Sequence, residues 1–326
     1  MARTEDDLLH IQKRAFLLMV LALIIAIAVP LYVARTLLTS GRIAEVTPEP
    51  NYLGHTIAPS VNTLTAEEHA LLSVNMLDVK TVPRVFLARL PDDIGDIENA
   101  RRKKQVFVST MLPLILRANE LIEEERAILL SLKRKIETGQ RIRNSEKVFL
   151  RRIEQRVRAK PDLPRTTEHI NKLLFHVDVI PPSLAITQAA IESGWGTSRF
   201  AVEGNALFGE WVWGDAKGIM PNRREAGKTH KIKSFDYLID GVLSYMHNLN
   251  RTQAYGSLRR KRATLRRAGK PVTGRSLALT LDKYSERGDV YIDDLLTIMR
   301  QNKFSRFDTI RLAEPRFEPV IVAQAD

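Results

Sequence analysis

IPPSLAITQAAIESGWGTSRFAVEGNALFGEW, residues 180–211, decides how the rest of the chain is read. Pro181 and Pro182 suit a helix start, because proline's fixed φ fits the first turn and its missing N–H is not needed there. The apolar helical run then ends at Gly194, a natural stop, which places Glu192 in the last turn and Gln188 one turn earlier on the same face. A helix C-terminus carries partial negative charge, and Ala189, Ala190, Ile191 and Trp195 around the carboxylate are small or apolar. Both conditions disfavour ionisation. The Glu192 pKa is therefore expected to lie above the usual carboxylate range, as a general acid at neutral pH requires. The plain alternative is a glutamate that merely points to solvent from a helix end.

Glu192 is followed by Ser193, Gly194, Trp195 and Gly196, then by Asn205, Phe208 and Gly209. This combination resembles the N-acetylglucosaminidases of the flagellar rod-cap muramidase type, glycoside hydrolase family 73, and within that family the Bax-type proteins. The resemblance runs from VIPPS at 179–183 to YSERGDVYIDDL at 284–295 and takes in GIMPNRREAGKTHKIKSF at 218–235. It implies a mainly α (α+β), lysozyme-like catalytic domain with a small β-hairpin lobe, cleavage of peptidoglycan glycan strands after N-acetylglucosamine, and Glu192 as the essential acid. It also places Tyr284 where the family has an active-site tyrosine in a YATDP-like stretch, although SERGD follows it here. Tyr291 matches a later tyrosine that more often packs.

Two-carboxylate glycoside hydrolysis needs a second acidic group, as nucleophile or as the base that activates water. In the family this group, where assigned, lies on the β-hairpin some thirty to forty residues after the first, an offset that Glu225 meets best; Glu210 and Asp215 are its rivals. The alternation of Thr229, Lys231 and Lys233 with His230 and Ile232 predicts a strand beside it. Participation of the substrate's own acetamido group would need no second carboxylate. Sugar rings pack on aromatic faces and their hydroxyls need hydrogen bonds, so Gln188, Trp195, Phe208, Trp211 and Trp213 are the expected substrate-binding residues. Tyr245 falls on an apolar helical stripe with Phe235, Leu238, Val242 and Leu249 and is expected to pack; Asn205 is expected to satisfy loop backbone.

Towards the N-terminus, AFLLMVLALIIAIAVPLYVA at 15–34 is uncharged and long enough for a membrane span, with Lys13 and Arg14 before it and Arg35 after it. The expected organisation is a cytoplasmic segment 1–14, an uncleaved anchor 15–34, a linker 35–64 containing Pro48, Pro50 and Pro59, and a helical stem 65–164. A catalytic domain 165–310, able to fold without the stem, and a tail 311–326 complete it. Apolar spacing predicts a long amphipathic helix from about 101 to 136, kinked or begun at Pro113, and a second from about 145 to 157. The catalytic domain would lie in the periplasm beyond a bacterial inner membrane.

The chain of 326 residues contains no Cys, which excludes disulfides, thiolate metal sites and a Cys nucleophile. Its net charge of +12 favours polyanions. The basic stretch 251–275 reads either as a solvated helix and loop or as a surface attracted to acidic polymer. No zinc-finger, RNA-recognition or basic-zipper pattern supports nucleic acid as a partner, and no HExxH, GxGxxG or P-loop points to a metal or cofactor, so none is expected. A lytic transglycosylase and a non-catalytic peptidoglycan-binding scaffold are the competing functional readings.

Overall fold

The computed structural model describes residues 81–159, 166–222 and 229–314; the expected anchor 15–34 and Glu225 lie outside them. Strand β1 (Thr81–Val82) leads through a single 3-10 turn to helix α1 (Ala100–Glu137), where the Asn99 side chain accepts from the Arg102 N–H as an N-cap. Helix α1 runs through Pro113 without ending there. Helix α2 (Asn144–Val157) opens with Glu146 accepting from the Arg143 N–H at 2.8 Å. Both helices match the ranges expected from periodicity to within a residue or so.

After α3 (Thr167–His176) comes α4 (Pro182–Ser193), the helix that carries Glu192. Its first nine residues are all buried, which explains why its apolar pattern shows no solvent face. Helix α5 (Arg199–Gly204) precedes a small antiparallel sheet of β2 (Trp211–Val212), β3 (Gly218–Ile219) and β4 (Lys231–Lys233), ordered β2-β4-β3. Ile232 is paired with both Trp211 and Ile219 and is buried, as the alternation around it predicted. Helices α6 (Leu238–Arg251), α7 (Gly256–Arg267), α8 (Gly274–Ala278) and α9 (Asp289–Gln301) follow, and β5 (Arg311–Leu312) pairs in parallel with β1. The architecture is mainly α with a small β lobe. Among the described residues no helix is long and apolar enough to cross a membrane.

The expected division into stem and catalytic domain is corrected by the packing. One hydrophobic core runs continuously from Val82 through α1, α2 and α3 into α4, α6 and α9 and on to Leu312. Asn119 on α1 closes a pair of hydrogen bonds with the backbone of Ile180, its Nδ2 donating at 2.8 Å and its Oδ1 accepting at 3.0 Å. Residues 311–312 are likewise strand rather than tail, with Leu312 buried.

Charged residues fix both ends of the segment leading into α4. Asp178 receives the Arg266 guanidinium through Nε at 2.6 Å, with Arg126 and Arg262 at 3.6 and 3.5 Å. Arg262, 1% exposed, also donates to the carbonyls of Asp178 and Val179 and to Asn250 Oδ1. Burial lowers its pKa to about 10, which still leaves it charged at neutral pH. The basic stretch is thus partly internal: Arg259 and Arg262 satisfy buried carbonyls, while Arg260, Lys261, Arg267 and Lys270 remain exposed. At the start of α4, Asp308 accepts from the N–H and hydroxyl of Ser183 and from the Gly274 N–H, each at 2.9 Å. A Cβ at Gly274 would stand 2.1 Å from Ser183 Oγ, so glycine is required where α8 meets α4.

Candidate active site

Glu192 is placed by the way α4 ends. Gly194, Trp195 and Gly196 all take positive φ, and the Trp195 N–H returns to the Ala190 carbonyl at 2.8 Å. Ser193 Oγ donates to the Ala189 carbonyl and accepts from the Gly196 N–H, which locks the turn. Phe107, Leu90 and Ile94 pack so closely on Gly196 that an added Cβ would meet them at 3.0 to 3.2 Å. Glu192 alone in the last turn of this buried helix has an exposed side chain.

A directed chain of hydrogen bonds reaches its carboxylate from inside. The Tyr245 hydroxyl donates to Gln188 Oε1 at 2.6 Å, Gln188 Nε2 donates to the Tyr291 hydroxyl at 3.0 Å, and that hydroxyl donates to Glu192 Oε1 at 2.9 Å. The chain has one consistent polarity. If the Gln188 amide were reversed, Tyr291 would need its single proton for two acceptors. Although the side chain reaches solvent, crowding by protein removes much of the carboxylate's hydration, and this pushes its pKa up against the opposing effect of the Tyr291 hydrogen bond. Tyr291 itself is 2% exposed, and burial together with the Glu192 charge keeps its hydroxyl protonated.

The other tyrosines are arranged around this pair. Tyr284 stacks on Tyr291 with ring centres 5.4 Å apart and planes 8° from parallel, and Tyr255 lies 5.8 Å from Tyr284. Tyr284 therefore stands beside the ring that touches Glu192. Phe208 is buried and stacks on Tyr245 at 4.0 Å, supporting the inner end of the chain. Gln188 is completely buried, so its amide serves Tyr245 and Tyr291 and is not presented to a ligand. Trp195 turns away into a contact with Phe107 at 5.8 Å and Phe304 at 6.2 Å, with Lys104 Nζ 4.6 Å from its ring centre.

Trp211 and Trp213, by contrast, are 56% and 60% exposed on the β lobe, where Trp211 stacks on His230 at 4.5 Å. Among the carboxylates considered for the second role, Asp215 is exposed in the turn between β2 and β3. Glu210 is mostly buried: Ser244 Oγ donates to its Oε2 at 2.8 Å, Lys233 Nζ lies 3.9 Å away, and Oε1 is buried with no hydrogen-bond partner among the described residues. Burial raises its pKa, opposed by Lys233 and Ser244. Burial, and after it the charges of Glu210 and Glu192, push the Tyr255 hydroxyl pKa up. Asn205 caps α5 in the left-handed conformation and donates to the carbonyls of Phe235 and Asp236, tying α5 to the entry of α6.

Tyr291 is the residue whose contact the sequence did not reveal. With Leu295 and Met299 it forms the buried stripe of α9, and a tyrosine at the start of such a stripe can hold a polar partner at the rim; that is the available signal. Among the described residues no group of three or more His, Asp or Glu side chains is arranged to hold a metal ion.

Residues 168–304 match the Glucosaminidase family, described as mannosyl-glycoprotein endo-beta-N-acetylglucosaminidase. The chain is 34% identical over 211 residues to Protein bax of Escherichia coli (strain K12), an alignment covering 65% of this chain and 74% of that protein. No solved structure matches it. A matched region that opens at α3 and closes just beyond α9 contains α4, the tyrosine cluster and the β lobe, and the chain belongs to the Bax-type proteins with a glucosaminidase domain.

Proposed function

We propose that the protein is a peptidoglycan hydrolase, anchored in the bacterial inner membrane by residues 15–34, that cleaves glycan strands after N-acetylglucosamine from the periplasmic side. The observation that carries the reading is the Glu192 carboxyl, raised in pKa at the open end of a buried helix and held through one oxygen by Tyr291. With Oε1 occupied, Oε2 is the oxygen available to carry a proton to the glycosidic oxygen. Tyr291 orients the acid, and Gln188 and Tyr245 orient Tyr291. Tyr284 acts through its stack on Tyr291, and Trp211 and Trp213 offer exposed rings to the sugar's C–H faces.

Glu225, which lies outside the described residues, is proposed as the group that activates water or steadies the oxocarbenium-like charge. Glu210 is its competitor, because it is held by Ser244 with its pKa raised by burial. Rates of Glu225→Gln and Glu210→Gln separate the two: the larger loss marks the participating carboxylate. Product analysis of digested peptidoglycan tests the reaction class. Hydrolysis leaves reducing N-acetylglucosamine ends, a transglycosylase leaves anhydro-muramic ends, and a scaffold leaves the polymer intact.

Tyr291→Phe tests the positioning role with a distinct signature. The lost hydrogen bond favoured the ionised form of Glu192, so the carboxyl pKa rises further in the variant. Because the acid must be protonated to act, the alkaline limb of the pH–rate profile moves upward, while the maximal rate falls about 10- to 100-fold, the worth of one hydrogen bond to a charged group. An unmoved alkaline limb would sink the assignment.

The proposed topology has its own test. Protease added to spheroplasts is expected to digest residues beyond 35 and spare the first residues. Complete protection of the folded domain would overturn it.

A further inference from the structure

A groove of about 350 Å³ lies between the first turns of α1 and the segment that follows α9, away from Glu192. Arg101, Lys104 and Arg306 line it over an apolar floor that includes Val108 and Phe304, and among the described residues no carboxylate lines it. Among the described residues, Lys104 Nζ meets the neutral Asn302 Oδ1 at 3.3 Å and the face of Trp195, and Arg306 stacks on Phe307 with its Nε buried and without a hydrogen-bond partner. Among the described residues none of the three cations is in an ion pair. Three like charges gathered over apolar surface repel one another, and an anion between them would relieve that cost.

The shape narrows the anion's class. A membrane surface is met by a flat or convex basic face, whereas this site is concave, with room for one or two amino-acid residues. Its lining joins cations to an apolar floor, which fits a carboxylate on an apolar body better than a bare inorganic anion. The groove is also physically linked to the acid. Helix α9 holds Glu192 through Tyr291 near its start and delivers Asn302 to the groove after its end, roughly 15 Å along its axis. Trp195, three residues after Glu192, lies beneath Lys104.

Resting on the hydrolase reading, we propose that this groove binds the carboxylate-bearing peptide carried by the glycan strand being cut, and so selects peptide-substituted strands. Trp195 reports on it directly. The chain has three tryptophans, so a full-length Trp211→Phe/Trp213→Phe variant leaves Trp195 as the sole indole. Titration with N-acetyl-alanyl-alanine is expected to change its emission saturably, and the C-terminal amide is expected to bind at least tenfold more weakly. Adding Arg101→Gln, Lys104→Gln and Arg306→Gln should abolish the response without changing the melting temperature; Lys104→Gln alone serves if the triple change unfolds the protein. Equal binding of acid and amide overturns the proposal, as does equal affinity for inorganic phosphate. A response only to anionic vesicles overturns it in favour of a membrane contact.

The activity arm keeps the two readings apart. The triple variant is expected to lose several-fold in rate on intact peptidoglycan and nothing on glycan stripped of its peptides. Equal losses on both polymers overturn the selection role. A wild type inert on both, with the titration unchanged, overturns the hydrolase reading while supporting the carboxylate site.

Discussion

Glu192→Gln is expected to reduce glycan cleavage by about 10²- to 10⁴-fold while leaving the melting curve nearly unchanged. The substitution keeps the side chain's size, and the glutamine carbonyl can still accept the Tyr291 hydroxyl proton that now goes to Oε1 at 2.9 Å. Burial should lose nothing either, because the surroundings already disfavour the ionised form. What disappears is the proton on Oε2. An amide cannot transfer it to the leaving oxygen, so binding of the polymer should survive while bond cleavage does not. Release of reducing ends from purified peptidoglycan measures the effect. Wild-type rates in a well-folded Glu192→Gln protein would remove Glu192 from the mechanism. The opposite separation, lost stability with retained rate, would assign it a structural role at the end of α4.

What could be read from the sequence was local. The start of α4 at Pro182, its stop at Gly194 and the limits of α1 and α2 depend on residues within a turn or two of each other, so periodicity and capping chemistry reveal them. The site's inner half depends on contacts between distant segments. Tyr291 reaches Glu192 across 99 positions, and its place at the start of the α9 stripe suggests a polar partner without saying which. The i, i+4 spacing puts Gln188 on the face of Glu192 but does not say that this face turns inward between Tyr245 and Tyr291. Trp195 follows Gly194 into a left-handed conformation, and that backbone choice sends its ring towards α1. Arg262 shows the same limit for charge: a residue in a basic run reads as solvated until Asp178 and Asn250 are seen to enclose it.

Removing residues 1–164 is expected to abolish cooperative folding of the remainder. Helix α1 contributes a continuous series of buried apolar side chains, from Val106 and Phe107 to Leu129 and Leu132, that pack on α3, α4 and α6. At about 2 kcal/mol per buried side chain, ten of these represent on the order of 20 kcal/mol. That exceeds the roughly 5–15 kcal/mol by which a whole domain is ordinarily stable. Polar groups would suffer too, since the Ile180 backbone loses both hydrogen bonds to Asn119, and the Leu174 and Val177 carbonyls lose Arg126. Circular dichroism melting and sedimentation of the 165–326 fragment check this, with residues 81–326 as the comparison expected to melt cooperatively. A soluble, cooperatively melting and active 165–326 fragment would show that α1 is dispensable. The physical reason to expect otherwise lies beside the acid itself: Leu90, Ile94 and Phe107 are the side chains pressed against Gly196, so the turn that presents Glu192 loses its backing when they are gone.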